Sequence, residues 1–347
     1  MRTTTDVAVV GGGIIGAAIA WRLAAAGGAD VTLIDPSPGL GATHAAAGML
    51  APVTELHYGE EALLRLNLAA ALRYPEFVAE VEAATGSDVG YRRTGTVVAA
   101  WDGADLAALR DLAALHKSLD LSSEMLTARE LRALEPTVAP GLPGGLYAGD
   151  DHSVDPRRLH HALLANTDVV REHVASVADG TVTLAGGDVI SAGTVVVAAG
   201  ARSGHIGGVS IAGLRPVKGQ TLRLRTERQV LDHVLRGSVR GVPVYLVPRA
   251  DGEIVVGATS EEAGYDERPR AGAVYDLLRD AQLLLPAVLE MEFVEVSTGL
   301  RPATPDNAPV IEALHERLVV ATGHYRNGVL LAPITADMVA ELVMVRA

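Results

Sequence analysis

The chain has 347 residues, about enough for two domains of ordinary size. Hydrophobic residues make up 49% of it, and 42 acidic against 29 basic residues leave a formal net charge of −13. This charge argues against a nucleic acid or an anionic membrane as partner, since both require a basic surface. The absence of cysteine excludes disulfides, thiolate nucleophiles and cysteine-linked cofactors.

The apolar run from Val7 to Trp21 resembles a secretory signal at first sight. Asp6 precedes it, three consecutive glycines interrupt it and its basic start is a single Arg2, so no signal peptide is predicted. No other stretch reaches the roughly 18 uninterrupted apolar residues of a membrane span. We therefore expect a cytoplasmic protein without a membrane partner.

The same run predicts a strand, a glycine turn and a helix. "DVAVV" is a short buried strand, Gly11, Gly13 and Gly16 have G-x-G-x-x-G spacing, and "IIGAAIAWRLAAAG" continues as a helix. The next strand, "ADVTLID", ends in Asp35, nineteen residues after Gly16. Such glycines let a pyrophosphate approach the helix N-terminus, and the acid binds ribose hydroxyls. The pattern indicates a dinucleotide site, with an ordinary glycine turn as the alternative.

The elements that follow are predicted to interrupt this nucleotide fold with extended segments. In chain order they are an extended pair around Gly95 (Asp88 to Asp102), helices (Leu106 to Leu134), a strand (Thr194 to Gly200), an extended segment (Gly219 to Thr226), a hairpin turning at Ala250 to Gly252, a strand (Arg317 to Gly323) and the helix "GVLLAPITADMVAELVMV". The nucleotide domain is therefore interrupted and resumed, with an antiparallel sheet inserted twice.

Several strings carry a more specific resemblance. "VVGGGIIG", "VVVAAGARSG", "STGLRPATPDNAPVI" and "GHYRNGVLLAP" resemble the D-amino acid oxidase family of flavoproteins, and "THAAAGMLAP" and "HYRNGVLLAP" are most similar to its glycine oxidases of thiamin biosynthesis. The resemblance implies an α/β fold in which a Rossmann-type FAD-binding domain (1–85, 150–215 and 300–347) is interleaved with an antiparallel-sheet substrate domain (86–149 and 216–299). It also implies a homo-oligomer.

The resemblance assigns cofactor contacts along the whole chain. The loop "AAAGMLAP" would lie at the reactive N5 edge of the isoalloxazine ring, where small residues let backbone N–H groups approach, although an alanine-rich helix start in the core has the same composition. A helix N-terminus after "HYRN" would stabilise negative charge on the opposite edge of the ring. The assigned FAD contacts are Gly11, Gly13, Ile14, Ile15, Gly16, Asp35, Pro36, Ala42, Thr43, Ala46, Ala47, Gly48, Met49, Val174, Ala199, Gly200, Gly299, His324, Tyr325, Arg326, Asn327, Gly328, Val329 and Leu330.

A small amino-acid substrate needs a bidentate cation for its carboxylate, and arginine is suited to this. The resemblance assigns that role to Arg301, directly after the predicted strand "EFVEVST", with Arg326 and Tyr245 as supporting contacts. A solvated surface charge remains the alternative for either arginine, and a core aromatic for Tyr245.

Other polar groups are given no catalytic part. The histidines are scattered without metal-ligand spacing, and Asp150-Asp151-His152 is interpreted as a solvated turn rather than a metal site. Asp35 stands where relatives often have glutamate, and either acid reaches ribose. Some amine dehydrogenases attach flavin to a histidine in this loop, but alignment on "AAG" places it at Ala45 rather than His44. We therefore expect non-covalent FAD.

The resemblance implies an FAD-dependent oxidase that converts glycine, small amines or D-amino acids to an imine, which hydrolyses to glyoxylate and ammonia in the case of glycine. Oxygen would be reduced to hydrogen peroxide, and the imine would supply thiazole formation in thiamin biosynthesis. Two alternatives remain. One is a D-amino acid, proline or sarcosine dehydrogenase that uses another electron acceptor, and the other is a non-catalytic flavin-binding sensor or scaffold.

Overall fold

The structure, a computed structural model, describes residues 3–178 and 180–344. Its strands are β1 (Thr4–Val10), β2 (Val31–Ile34), β3 (Met49–Leu50), β4 (Thr96–Ala100), β5 (Glu124–Thr127), β6 (Gly144–Ala148), β7 (His152–Ser153), β8 (Asp168–Val170), β9 (Val174–Ala178), β10 (Thr181–Leu184), β11 (Val189–Val197), β12 (Arg215–Arg225), β13 (Val234–Val239), β14 (Val242–Pro248), β15 (Glu253–Gly257), β16 (Glu292–Ala303), β17 (Val310–His315) and β18 (Leu318–Thr322). Its α-helices are α1 (Ile14–Gly27), α2 (Ala42–Ala45), α3 (Glu61–Thr85), α4 (Gly103–Ser118), α5 (Ala128–Leu134), α6 (Pro156–Leu164), α7 (Ala271–Leu284) and α8 (Gly328–Met344).

The first sheet is built on parallel strands and has the order β17-β18-β11-β1-β2-β8, with β10 and β9 continuing from β11. Neighbouring pairs among β18, β11, β1, β2 and β8 run parallel, so their carboxyl ends meet at one edge. The central strands are buried on both faces, as expected for a parallel sheet covered on both sides. Ligands of such sheets bind outside this carboxyl edge.

The second sheet has the order β16-β12-β15-β14-β13-β4-β6-β5, in which the β13–β4 pair is parallel and the other pairs are antiparallel. Helix α7 packs against β12 and β14, and its apolar side chains belong to the same buried cluster as theirs. A smaller apolar cluster, which includes Ala47, Met49 and Tyr245, joins this sheet to the loop after β2.

The last helix, α8, belongs to the same buried hydrophobic cluster as the central strands of the first sheet. By length and composition the run Tyr325–Met344 is apolar enough to cross a membrane. More than half of it is buried within the protein, and α8 packs against α1 and α3. Its hydrophobicity on all sides therefore matches its surroundings in the core.

The structure confirms the predicted α/β class with interleaved sheets but corrects several elements. Within the predicted extended pair from Asp88 to Asp102, only β4 is a strand, because Gly90 and Gly95 adopt positive φ and Arg92 forms an isolated bridge to Ser153. The predicted helices from Leu106 to Leu134 are interrupted by β5, a four-residue edge strand that hydrophobic periodicity could not reveal. Strand β16 is longer than predicted.

The domain division remains a prediction. The strands of the first sheet come from residues 4–34, 168–197 and 310–322, and those of the second come from 96–148 and 215–303. Strands β12 and β16 thus extend slightly beyond the predicted limits at 216 and 299. Residues 1, 2, 179 and 345–347 of the predicted FAD-binding domain lie outside the described residues.

Candidate active site

A cavity of about 1040 Å³ opens at the carboxyl edge of the first sheet and is lined by both sheets. It brings together most residues assigned to FAD, namely Gly11, Gly13, Ile14, Ile15, Asp35, Pro36, Ala42, Thr43, Ala46, Ala47, Gly48, Met49, Val174, Ala199, Gly200, Gly299, His324, Tyr325, Arg326, Gly328 and Val329. Tyr245 and Arg301 line the same cavity. The remaining three assigned residues, Gly16, Asn327 and Leu330, do not line it.

Gly16 allows close packing of the backbone, and Asn327 and Leu330 are buried. A Cβ on Gly16 would lie 1.9 Å from the carbonyl oxygen of Gly11, so the glycine permits close packing of the turn on α1. Asn327 and Leu330 are 4% and 2% exposed, and Leu330 belongs to the core cluster around α1 and α8. Burial of Leu330 follows from its position in a helix that is covered on all sides.

Two helix N-termini open towards the cavity. Gly13 caps α1 without a side-chain hydrogen bond, and neither α1 nor α8 has an acidic residue in its first turn. The Thr43 hydroxyl accepts a 2.9 Å hydrogen bond from the Ile14 N–H, which ties the loop after β2 to α1. Uncapped N–H groups at a helix N-terminus favour an anionic ligand such as a pyrophosphate or a reduced flavin edge.

Asp35, which is predicted to bind ribose, lines the cavity directly after β2. Its two carboxylate oxygens accept hydrogen bonds of 2.7 Å from the N–H groups of Gly12 and Ser37. A carboxylate has about four lone-pair sites, so acceptor capacity remains for ribose hydroxyls.

Gly11, in the turn after β1, has no room for a side chain. A Cβ on Gly11 would lie 2.5 Å from the carbonyl oxygen of Ala198, and its φ of +107° also requires glycine.

The loop after β2 begins with the short helix α2 and continues through the small residues predicted to face the flavin. Arg249, 8% exposed, donates hydrogen bonds to the carbonyl oxygens of Ala47 and Val154, and the Thr221 hydroxyl donates to that of Ala45. Burial lowers the pKa of Arg249 to about 10, which still leaves it charged at neutral pH. The sequence analysis missed Arg249, whose role depends on contacts 95 and 202 residues away in the chain.

His44 faces away from this cavity. Its ring lies 2.9 Å from Glu295 and lines a separate cavity of about 570 Å³, together with Arg157 and His161. Arg157 donates to both carboxylate oxygens of Glu295 and holds the pKa of that carboxyl down at about 2. This orientation agrees with non-covalent FAD binding.

At the C-terminal side, His324 is fully enclosed and its Nε2 lies 3.0 Å from the Thr335 hydroxyl. Burial lowers the pKa of His324 to about 3, so the ring is neutral at physiological pH. The neutral ring adds no charge beside the N-terminus of α8, where the helix dipole favours negative charge.

Three arginines meet at the end of the cavity away from the dinucleotide turn. Arg326 pairs with Glu60 at 2.9 Å and Arg236 pairs with Glu55 at 3.2 Å. Arg301 donates to the Thr259 carbonyl oxygen at 3.1 Å and has no carboxylate partner among the described residues. It lies within β16 rather than after a strand, which corrects the sequence prediction.

Tyr245 lies beside Arg301 and directly opposite Arg236 in the β13–β14 pair. Burial raises the pKa of its hydroxyl, so the hydroxyl stays protonated at neutral pH and can donate a hydrogen bond. The charge of Arg301 opposes this shift without cancelling it. A Cβ on Gly257 would lie 2.4 Å from this ring, so the glycine provides the space that the ring occupies.

Glu55 and Arg236 were not among the site residues predicted from the sequence, and the interpretation of Asp151 as part of a solvated turn was wrong. Asp151 is not in a solvated turn but is fully buried, and its carboxylate accepts bonds from the backbone of Val53 and Thr54 and from the Thr54 hydroxyl. Its neighbour Asp150 is exposed, as the turn interpretation expects. Burial raises the pKa of Asp151 to about 6. Local polarity could not reveal this pocket, because segments far apart in the chain form it.

Among residues 3–178 and 180–344 the structure has no group of three or more acidic or histidine side chains placed to hold a metal ion.

Comparison with known proteins places this geometry in context. The family model described as "FAD dependent oxidoreductase" matches residues 6–342. The glycine oxidase of Bacillus licheniformis is 31% identical over 99% of this chain and 94% of the relative. The bifunctional protein ThiO/ThiG of Trichormus variabilis is 32% identical over 98% of this chain, which spans only 53% of that relative. The crystal structure of glycine oxidase from Geobacillus kaustophilus superposes with a TM-score of 0.90, at 32% identity over 99% of this chain and 95% of that one.

Proposed function

This chain belongs to the family of FAD dependent oxidoreductases, and we propose that within it the chain is a glycine oxidase. The reaction converts glycine, and also small amines or D-amino acids, to an imine with reduction of oxygen to hydrogen peroxide. Hydrolysis of the imine from glycine gives glyoxylate and ammonia. The imine is also a precursor suited to thiazole formation, so we place the enzyme in thiamin biosynthesis.

The availability of Arg301 carries this proposal. Its guanidinium lines the cavity beside the Tyr245 hydroxyl and has no carboxylate partner among the described residues, whereas Arg236 and Arg326 are paired with Glu55 and Glu60. An arginine fork binds a carboxylate through two parallel hydrogen bonds. The ligand group best suited to the donors of the Arg301 guanidinium is therefore the carboxylate of an amino acid.

The residues present fit FAD. The turn at Gly11 leaves no space for a Cβ, Asp35 retains acceptor capacity for ribose, and the N-termini of α1 and α8, which have no acidic residue in their first turns, line the cavity. Ala46, Ala47 and Gly48 present backbone and small side chains where a flat ring system must enter. Bound FAD supplies the two-electron acceptor of the reaction.

The protein's own contribution is orientation and electrostatics. Arg301 and Tyr245 hold the substrate carboxylate, which leaves the Cα–H bond and the amine directed into the cavity. The amine must be neutral to release its electron pair, so we expect the free amine to be the reacting form. Neutral His324 and the N-terminus of α8 stabilise negative charge at the far edge of the cavity.

The named relatives support this choice. Proteins called glycine oxidase match nearly the full length of this chain, and the chain corresponds to about half of the bifunctional ThiO/ThiG proteins. A dehydrogenase that passes electrons to another acceptor would share the same carboxylate site. A flavin-binding sensor would not need an unpaired arginine beside a protonated tyrosine.

Incubation of the purified protein with glycine, sarcosine, D-amino acids and proline tests the proposal. Release of hydrogen peroxide with glycine, together with bleaching of the flavin spectrum under nitrogen, is the expected result. Bleaching without peroxide indicates the dehydrogenase, and absence of bleaching with every amine contradicts catalysis.

The proposal includes a cytoplasmic location and a homo-oligomeric assembly. Exposed apolar side chains such as Leu72 and Tyr275 are available for contacts between copies. Light scattering on the eluting protein tests the assembly, and a mass equal to a single 36.0 kDa chain contradicts it.

A further inference from the structure

A chain of polar contacts runs from the buried Asp151 to the substrate end of the cavity. Asp151 accepts hydrogen bonds of 2.9 Å from the N–H groups of Val53 and Thr54 and one of 2.5 Å from the Thr54 hydroxyl. The same hydroxyl accepts a 3.0 Å bond from Nη1 of Arg236, whose Nη2 lies 3.2 Å from Glu55. Arg236 and Glu55 line the cavity and lie near Tyr245, while Asp151 does not line it.

The direction of the contacts is fixed by the number of hydrogens. A hydroxyl has one hydrogen to donate and two lone pairs to accept with. Because the Asp151 carboxylate takes the Thr54 hydrogen, the Thr54 oxygen presents only acceptor sites to Arg236. A guanidinium has donors alone, so Arg236 fits this oxygen, and its position follows from that of Asp151.

Glu55, the partner of Arg236, lies near the same Tyr245 hydroxyl as Arg301. Tyr245 lies within electrostatic reach of Arg301, Arg236 and Glu55, which places all of these charges around one hydroxyl. A carboxylate released from Arg236 could turn to Arg301, which has no carboxylate partner among the described residues. Glu55 would then occupy the donors that a substrate carboxylate needs.

We propose that Asp151 is a positioning residue that keeps Arg301 available for substrate, by holding Arg236 through the Thr54 hydroxyl so that Arg236 retains Glu55. This inference rests on the proposed function only in taking the ligand of Arg301 to be a carboxylate. Asp151 does not line the cavity, and it acts on Arg301 through the side chains of Thr54, Arg236 and Glu55.

The decisive substitution is Thr54→Val, which removes the hydroxyl at nearly constant shape and leaves both backbone bonds to Asp151 in place. We expect KM for glycine to rise about tenfold or more, with kcat nearly unchanged. This is the size of effect expected when Glu55 competes with the substrate carboxylate for a charge-assisted hydrogen bond from Arg301. Thr54→Ser keeps the hydroxyl and should restore wild-type KM. Asp151→Asn should also raise KM, because its amide group cannot accept all three bonds.

Removal of the competing carboxylate provides the sharpest control. Glu55→Gln in the Thr54→Val background should return KM to near the wild-type value, because glutamine carries no charge to occupy Arg301. A purely structural role for Thr54 predicts no such recovery. Asp280→Asn, at a buried carboxylate on α7 outside the cavity, controls for the general loss of a buried acid and should leave KM unchanged.

Acetate binding separates this test from the proposed function. Its Kd, followed by the change in flavin absorbance, reports Arg301 availability without any oxidation and should weaken in Thr54→Val as KM does. Failure of the wild type to oxidise glycine would count against the proposed function alone. KM and acetate Kd within twofold of wild type in Thr54→Val, or a loss that persists after Glu55→Gln, would overturn the inference. Thermal unfolding of each variant verifies that it is folded.

Discussion

Gly219 lies directly beneath the guanidinium of Arg301. The two residues are diagonal neighbours on the β12–β16 pair, in which Val217 faces Arg301 and Gly219 faces Gly299. A Cβ on Gly219 would lie 2.3 Å from Nη1 of Arg301. The glycine therefore provides the space in which the guanidinium extends towards the Thr259 carbonyl oxygen.

Arg301→Ala should abolish saturation by glycine while the FAD spectrum and thermal unfolding stay nearly unchanged. Glycine has about five heavy atoms, so its binding free energy is limited to about 7 kcal/mol, and a millimolar Kd corresponds to about 4 kcal/mol. Hydrogen bonds to charged groups contribute about 1.5–3 kcal/mol each, so the arginine accounts for much of the binding. Arg301→Lys should recover only part of it, since a point charge lacks the planar fork. The rate of flavin reduction, measured against glycine concentration for both variants, tests this prediction. Near-normal saturation in Arg301→Ala would show that Arg301 does not bind the substrate carboxylate.

Gly219→Ala should raise KM for glycine without changing the protein fold. The added methyl group displaces the flexible end of Arg301, which costs little in stability but moves the carboxylate-binding donors. Gly272→Ala, where an added Cβ meets no atom within 4 Å, is the matched control and should retain wild-type KM. Steady-state kinetics on both variants checks this, and equal KM values would contradict the placement of Arg301.

Substitution of Gly48, an assigned flavin contact, should impair folding as well as flavin reduction. Gly48 has φ of +77°, and a Cβ would lie 2.1 Å from the carbonyl oxygen of Val154. Even Gly48→Ala should therefore lower the free energy of unfolding by more than the about 1–2 kcal/mol expected for a left-handed residue alone. Gly86→Ala, with φ of +68° and open space, should show only that smaller cost. Urea unfolding compares the two variants, and equal losses would refute the backbone contact.

FAD should be released from the chain by acid or heat denaturation. His44 is held by Glu295 outside the main cavity, and the chain has no cysteine to form a flavin linkage. Absorbance of the supernatant after precipitation measures the released FAD. Colour that remains with the precipitated chain would instead indicate covalent attachment.

The free energy of unfolding should fall as pH decreases below 6.5, with His324 as one cause. Its pKa is about 3 in the folded protein and near 6.5 when exposed, so between these values the unfolded chain binds a proton that the folded chain does not. This contribution is fully present above pH 6.5 and is lost towards pH 3. His324→Gln should reduce the slope of stability against pH in this range, and urea unfolding at several pH values would reveal an unchanged slope if the ring is not responsible.

The sequence alone was sufficient to predict the strands, glycine turn and helix that form one side of the cavity. A strand, glycine turn, helix and acid in fixed order determine a local fold whose parts are neighbours in the chain, and Gly11, Gly13 and Asp35 all line the cavity as predicted. The strings around Gly48 and His324 were equally informative because their small or apolar residues follow strands that end at the same sheet edge. Both regions depend on short-range order along the chain.

Tertiary structure decided which polar groups are paired. Arg236 meets Glu55 across 181 positions of the chain, the Thr54 amide and hydroxyl meet Asp151 across 97, and Gly219 lies beneath Arg301 through sheet register. No local pattern encodes these distances, because charge pairing, burial and the space beneath a side chain depend on how separate segments pack. The sequence predicted a flavin site and named Arg301 for a substrate carboxylate, and only the packed fold decided that Arg301, unlike Arg236 and Arg326, has no carboxylate partner among the described residues.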